Sequence, residues 1–328
     1  MLKVILFICL CVSSGDFSEP KRPKLIIDND AGGDDAMAIF LALLYEKHYN
    51  GPQLVGLTTA NGNTPENNVY YNNQRILRIA NRQDVPIYRG SKSSLVTTPD
   101  AGAWFGEDGL GDSGLNFDDL APAQDKTAVA ALIELSKTHK GDLTVITIGT
   151  LTNVALAIKT DPEFLGRLEH LYVAAGHIHD QEFKEAEFNA HMDVEAYHIV
   201  AKSANPDKVT FFPFSQVMTY LNISRTWREE VLGTIDTDII RAMNKFESVS
   251  LPKSDQWDAL DPAAIAVAVN PSLVSEYRYS KHGIHLCGDT RGITTNSFVD
   301  KTEANARIVY SVNQEEYKKL LLDLFSKN

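Results

Sequence analysis

The 328-residue chain is predicted to take an α/β fold: an open, mainly parallel central sheet flanked by helices, in a single domain. Three observations predict it. Short apolar, β-branched runs alternate with helix-forming stretches from Leu25 to Phe325. Polar loops repeatedly follow the strands, which gathers their side chains at one rim of the sheet. No internal repeat and no linker rich in Pro, Gly or Ser divides the chain.

Leu25, Ile26 and Ile27 form the first apolar run and read as a buried strand. Asp28, Asp30, Asp34 and Asp35 follow at once, with Ala31-Gly32-Gly33 between them as a tight turn free to take positive φ. Ala36 to Leu44 is almost wholly apolar and reads as a buried helix. Gln53 to Thr59 is a second strand, ending in Ala60-Asn61-Gly62-Asn63. Thr64 then reads as an N-cap with Pro65 at the first helical position, and Val69, Ile76 and Ala80 share one face of that helix. Val85 to Tyr88 is a short third strand.

Gly90 to Ala123 is a long stretch rich in Gly, Asp and Ser. Loops of this length inside a compact domain are uncommon and often functional. It carries Trp104 and Phe105, which either pin the loop to the body or stack on a ligand; aromatic residues serve both ends. Ala128, Ala131, Leu132 and Leu135 stand at helical spacing, closed by Gly141. Leu143 to Ile148 is a strand, and Gly149 to Asn153 leads into another helix. His170 to Ala175 is again a strand, and the loop after it holds His177, His179, Glu187 and Asn189. The two histidines have no third ligand at zinc spacing and read as loop or rim residues. Asp193 starts a helix through Val200, and Val209 to Phe212 is a further strand. Ser215 to Lys253 is helical and less regular. Pro262 marks the start of another buried helix, entered from an acidic turn. Tyr277 to Leu286 reads as a hairpin, Arg307 to Val312 as a late strand, and Glu315 to Phe325 as an amphipathic helix.

Net charge is −12 with no basic patch, which argues against nucleic acid or anionic membrane as a partner. Residues 1–15 have a basic start, an apolar run from Val4 to Val12 and small residues at Ser13-Ser14-Gly15. They read as a secretory signal peptide too short to span a membrane, with a catalytic domain over 24–328 and a secreted, extracellular product. Cys9 and Cys11 fall in that leader, so Cys287 alone remains and no internal disulfide is expected. Asn222-Ile223-Ser224 is a glycosylation sequon.

Four carboxylates within the eight residues Asp28 to Asp35 repel one another. A helix N-terminus relieves only about 0.3–1 kcal/mol per charge, so a bound cation is the natural remedy. With no His or Cys near, oxygen ligands favour Ca²⁺ or Mg²⁺ over zinc. The alternative is a capped helix with a solvated acidic turn, but charge is seldom packed beside a buried helix without a partner.

The run Asp28-Asn29-Asp30-Ala31-Gly32-Gly33-Asp34-Asp35 resembles the DxDxGxDD fingerprint of the nucleoside hydrolases. Thr59 to Asn63 is similar to that family's second-strand Gly-Asn turn, and Glu107-Asp108-Gly109-Leu110-Gly111 to its DGLG loop. Gly149-Thr150-Leu151-Thr152-Asn153 resembles its GPLTN turn, with Thr150 where proline is usual. Ala186-Glu187-Phe188-Asn189 matches its AEFN segment, and Asp261-Pro262 resembles its late acidic turn.

The resemblance implies a Rossmann-like fold and hydrolysis of the N-glycosidic bond of ribonucleosides. It implies one Ca²⁺ per subunit on Asp30, Asp35, Asp261 and the main-chain carbonyl of Ile148, with Asp28 behind them. Asp34, Asn63, Glu187, Asn189 and Gln181 would hold the ribose, and Asp30 would act as general base on a water. A homodimer or homotetramer is implied as well. Two departures tilt the reading toward purines: Leu260 stands where relatives carry a leaving-group histidine, and Trp104-Phe105 precede Gly106 where His-Gly is common. A haloacid dehalogenase-type phosphohydrolase and a catalytically inactive nucleoside- or calcium-binding protein are the rival readings.

Overall fold

The structure, a computed structural model, describes residues 22–257 and 259–327; the expected leader, with Cys9 and Cys11, lies outside the described residues. The first half of the chain runs β1 (Lys24–Asn29), α1 (Gly33–Tyr49), β2 (Gln53–Thr59), α2 (Glu66–Ile79), β3 (Ile87–Tyr88), α3 (Ala128–Thr138), β4 (Leu143–Thr147) and α4 (Thr152–Thr160). It continues through α5 (Phe164–Arg167), β5 (His170–Ala174), α6 (Phe188–Met192), α7 (Val194–Ser203) and β6 (Val209–Phe212). The short helices α8 (Phe214–Gln216) and α9 (Arg225–Glu230) follow, then α10 (Asp238–Phe246), α11 (Leu260–Val269), β7 (Val274–Ile284), β8 (Thr294–Phe298), β9 (Ala306–Val312) and α12 (Gln314–Phe325).

The alternation of side chains along a strand builds three layers. Leu25 and Ile27 of β1 enter one core with α1, α10, α11 and α12. Ile26, pointing the other way, enters a second core with α3, α4 and α7. Helix α1 is apolar on all sides because it is buried on all sides: Ala36 through Leu41 have no exposure, and the equally apolar α11 packs against it.

The sheet order is β3-β2-β1-β4-β5-β6-β9-β7-β8. Pairing is parallel from β3 through β9, and β7 joins β9 and β8 antiparallel. The chain builds outward from β1 through β2 to β3, then returns to place β4 on the other side of β1. That reversal opens a crevice beyond the carboxyl ends of β1 and β4, where open α/β sheets bind ligands. Among the described residues no helix is long and apolar enough to cross a membrane.

Two local expectations need correction. Tyr277 to Leu286 is no hairpin in itself: up to Ile284 it belongs to β7, which pairs antiparallel with β9 over Tyr277 to Ser280 and with β8 from Ser280 on, Ile284 standing opposite Thr294. The turn lies beyond the run, where Gly288 and Gly292 take φ of 72° and 88°. Thr64 is not the N-cap of α2; Pro65 holds that place. The Thr64 hydroxyl is committed elsewhere, donating to the Glu107 carbonyl at 2.9 Å and accepting from Asn68 at 2.8 Å.

Candidate active site

Strand β1 delivers Asp28 and the segment Asn29-Asp30 to the crevice. Asp28 is fully buried between its neighbours, accepting from Thr58 Oγ1 at 2.5 Å, Asn153 Nδ2 at 2.8 Å and Thr147 Oγ1 at 3.4 Å. Burial still pushes it up to about 6. Asn153 also donates to the Thr59 carbonyl at 2.9 Å and accepts from Ser91 N at 3.0 Å. The turn after β4 thus ties together the ends of β1 and β2 and the start of the long loop.

The Asp30 carboxylate accepts from Asn63 N at 2.9 Å and Asn63 Nδ2 at 3.1 Å. Backbone closes around it: a Cβ on Gly62 would sit 1.8 Å from Asp30 Oδ2, and one on Gly149 would sit 2.9 Å from Asp30 Cγ. Both glycines are there for close approach. The same holds for Gly32 and Gly33, whose added Cβ atoms would each come within 2.7 Å of the Phe105 ring. Positive φ in this turn falls on Ala31, at 42°, and not on Gly32, which is extended with φ −77° and ψ −175°. Asp35 closes the turn, accepting from Asp30 N at 3.1 Å and Gly32 N at 2.8 Å.

Asp34, Asp35 and Asp261 bring carboxylate oxygens within 4.8 Å of one another. Asp30, which the resemblance implies as a ligand, lies against the same cluster: Asn63 Nδ2 donates to both Asp30 and Asp35 at 3.1 Å, and Asp30 adds repulsion at Asp261. Burial holds Asp30 well above the usual carboxylate range, with Asp35 adding repulsion. It does the same to Asp34, helped by Asp30 and Glu247. It lifts Asp35 to about 7, helped by Asp34, and raises Asp261, helped by Asp34, Asp35 and Asp30. Buried carboxylates that destabilise one another are a fit donor set for a hard cation.

A cavity of about 310 Å³ opens beside this cluster. Asp34, Asn63, Glu187, Asn189 and Asp261 give it a polar side. Trp104, Phe105, Phe188, Phe214 and Leu260 give it an apolar side, with His177 and Ile148 also in the wall. Glu187 caps α6, accepting from Asn189 N and Ala190 N at 3.0 Å each and from Gly176 N at 2.8 Å. Asn189 Nδ2 donates to the Ile148 carbonyl at 3.2 Å and to Ala174 O at 3.0 Å. The ends of β4 and β5 are thereby locked to the AEFN segment.

The structure therefore gathers Asp28, Asp30, Asp34, Asp35, Asn63, Ile148, Glu187, Asn189 and Asp261 at one place. Gln181 is not brought in: it is exposed in its loop and outside the cavity lining. The two aromatic residues divide the roles left open by sequence. Phe105 is buried against Gly32 and Gly33 and pins the loop. Trp104 stands at the mouth, 39 % exposed, with Lys253 Nζ 5.0 Å from its ring centroid. The DGLG segment serves as an anchor, its Asp108 carbonyl accepting from Asn72 Nδ2 at 2.7 Å.

Three features went unread in the sequence. Phe188 and Phe214 complete the aromatic wall although they lie far from Trp104 along the chain. His177, in the loop after β5, is buried in the cavity wall; burial and the nearby His179 push its ring down to about 4, so it is neutral at pH 7. Behind Asp34 lies a buried ion pair, Glu247 accepting from Arg228 Nε at 2.7 Å and from Trp257 Nε1 at 2.7 Å. None of these carries a local signal, since each is defined by its neighbours in space.

Residues 25–319 match the profile of a family described as inosine-uridine preferring nucleoside hydrolase. The chain is 34 % identical over 294 residues to uridine nucleosidase 1 of Arabidopsis thaliana, covering 86 % of this chain and 82 % of that one. It is 29 % identical over 297 residues to an inosine-uridine preferring nucleoside hydrolase of Leishmania major, covering 88 % and 92 %. A solved plant nucleoside hydrolase superposes with a TM-score of 0.81 at 25 % identity, covering 94 % of this chain and all of that one.

Proposed function

The chain belongs to the nucleoside hydrolase family, a metal-dependent family of N-ribosyl hydrolases, and from that premise we propose that it prefers purine ribonucleosides and uses Ca²⁺. One observation carries the proposal. A single cavity joins a carboxylate and amide side suited to a sugar with a side of four aromatic rings suited to a flat base.

Asp35, Asp261, Asp34 or Asp30, and the Ile148 carbonyl would hold the cation. Three carboxylates and a main-chain carbonyl suit Ca²⁺, which takes many oxygen ligands, better than Mg²⁺, which keeps its waters. A cation held there would supply Lewis acidity toward the sugar hydroxyls and the attacking water. Asp30, in its carboxylate form, would take a proton from the water that attacks the anomeric carbon. The electron pair of the N-glycosidic bond leaves with the base. Positive charge grows on the ribose meanwhile, and the Asp34 and Glu187 carboxylates oppose it. Asn63 and Asn189 orient the hydroxyls, so a deoxyribonucleoside leaves buried polar groups unpaired.

Leu260 and Phe105 cannot donate a proton, and Trp104 is an indole donor only. A pyrimidine gains little from this wall, whereas a purine fills it, and base–aromatic stacking is worth about 1–3 kcal/mol per base. Purine ribonucleosides are expected to exceed uridine in kcat/KM by at least about tenfold. Trp104→Ala should narrow the gap. Steady-state kinetics with inosine, adenosine, guanosine and uridine test this; equal cleavage of uridine and inosine, or equal slowing of both by Trp104→Ala, overturns the preference.

A further inference from the structure

We propose that His177 hydrogen-bonds the nucleobase through its ring and thereby sets which base is accepted. This inference rests on the nucleoside hydrolase reading above and adds to it a residue that the family's motifs do not include.

The position of His177 is built by its main chain. Gly176, at φ +87°, turns the chain at the end of β5, and its N–H is held by Glu187. His177 N donates to Thr294 Oγ1 at 3.0 Å, and the same hydroxyl donates to His177 O at 2.7 Å. Asn296 Nδ2 donates to that carbonyl at 3.2 Å, and Ile178 N donates to Ser215 Oγ at 2.8 Å. The ring then packs between Phe183 and Phe214, with centroids 5.0 Å and 5.9 Å away.

The ring's Nδ1 is unsatisfied. Buried polar atoms nearly always find a partner; the buried His282 and the half-buried His170 and His179 do, whereas His48 Nε2, away from the cavity, does not. His170 meets Thr210 Oγ1 at 2.7 Å, His179 meets the Phe183 carbonyl at 2.8 Å, and His282 meets Tyr197 and Asn296 at 2.7 Å and 2.8 Å. His177 Nδ1 is buried with no partner, and the hydrogen bonds of this residue run through its main chain. Of the buried side-chain atoms left without a partner among the described residues, it alone belongs to the cavity wall.

Chemistry narrows the ligand. Among the wall residues away from the carboxylates, Phe188, Phe214, Phe105 and Leu260 offer no hydrogen bond, and Trp104 offers a donor only. A neutral imidazole offers one donor and one acceptor. The two nitrogens diverge, so one of them makes a single hydrogen bond, and its place beside Phe188, Phe214 and Trp104 points it to a ring nitrogen, carbonyl or amino group of the base.

The test compares two substrates on the whole protein: inosine, and 4-nitrophenyl β-D-ribofuranoside, which keeps the sugar and replaces the base by a good leaving group with no such group. His177→Phe should lower kcat/KM for inosine by at least about tenfold, the size of one lost hydrogen bond. It should leave the nitrophenyl riboside unchanged, and His177→Gln, which restores a donor and an acceptor, should regain part of the inosine activity. Parallel loss on both substrates, or an unchanged inosine rate, overturns the assignment of His177. Wild-type protein that cleaves neither substrate overturns the hydrolase reading and this inference together. Should His177→Phe not fold, His177→Leu carries the same comparison.

Discussion

Asp261→Asn is expected to lower kcat by at least about a hundredfold and to strip bound metal, while raising the melting temperature of the metal-free protein at pH 8. The first two effects follow from removing one of three convergent carboxylates, since Lewis-acid stabilisation is worth several kcal/mol. The third separates this account from a structural role for Asp261. In the metal-free protein its charge is buried and repelled by Asp34, Asp35 and Asp30. A carboxyl whose folded-state pKa is raised contributes stability that is full below its ordinary value near 3.8 and is lost as pH rises through the folded value. For Asp35 that folded value is about 7. Chelated wild-type protein should therefore lose stability between pH 6 and pH 8, and Asp261→Asn should flatten that loss. Metal content, turnover and thermal unfolding at both pH values check it. Retained metal with full turnover, or a metal-free variant less stable than wild type at pH 8, contradicts the account.

Asp30→Asn is expected to lower kcat by about 10²–10⁴, the usual contribution of a general base. The carboxylate is fixed by two donors from Asn63 and enclosed by Gly62 and Gly149, so nothing else can enter its place. An amide there keeps the shape but cannot take a proton, and its NH₂ faces a donor. The loss should appear in kcat with the fold intact by circular dichroism. A variant that turns over at the wild-type rate would remove Asp30 from the chemistry.

How much of this was legible in the sequence differs from residue to residue. The strand and helix around Asp28 to Asp35 were legible because their periodicity is local and strong: Ile26 and Ile27 alternate between two cores, and α1 is apolar throughout. Asp261 lies far along the chain from Asp30, and only the resemblance joined them. The topology explains why, since α11 packs directly on α1. The glycine turn was read for its residues but not for its reason. Ala31 carries the left-handed conformation, while Gly32 and Gly33 make room for Phe105. Thr64 was misplaced because a hydroxyl that satisfies a distant carbonyl looks, in sequence, like one that caps the next helix. His177, Phe188, Phe214 and Glu247 were missed as site residues for one shared reason: their meaning comes from what folds against them.

The central claim is that this cavity cleaves the bond between ribose and base with water. It is tested most directly by incubating the metal-loaded protein with inosine in phosphate-free buffer and identifying the products. The account predicts free base and free ribose in equal amounts, with no need for phosphate. Ribose 1-phosphate formed only when phosphate is present, or no release of base at all, would contradict it.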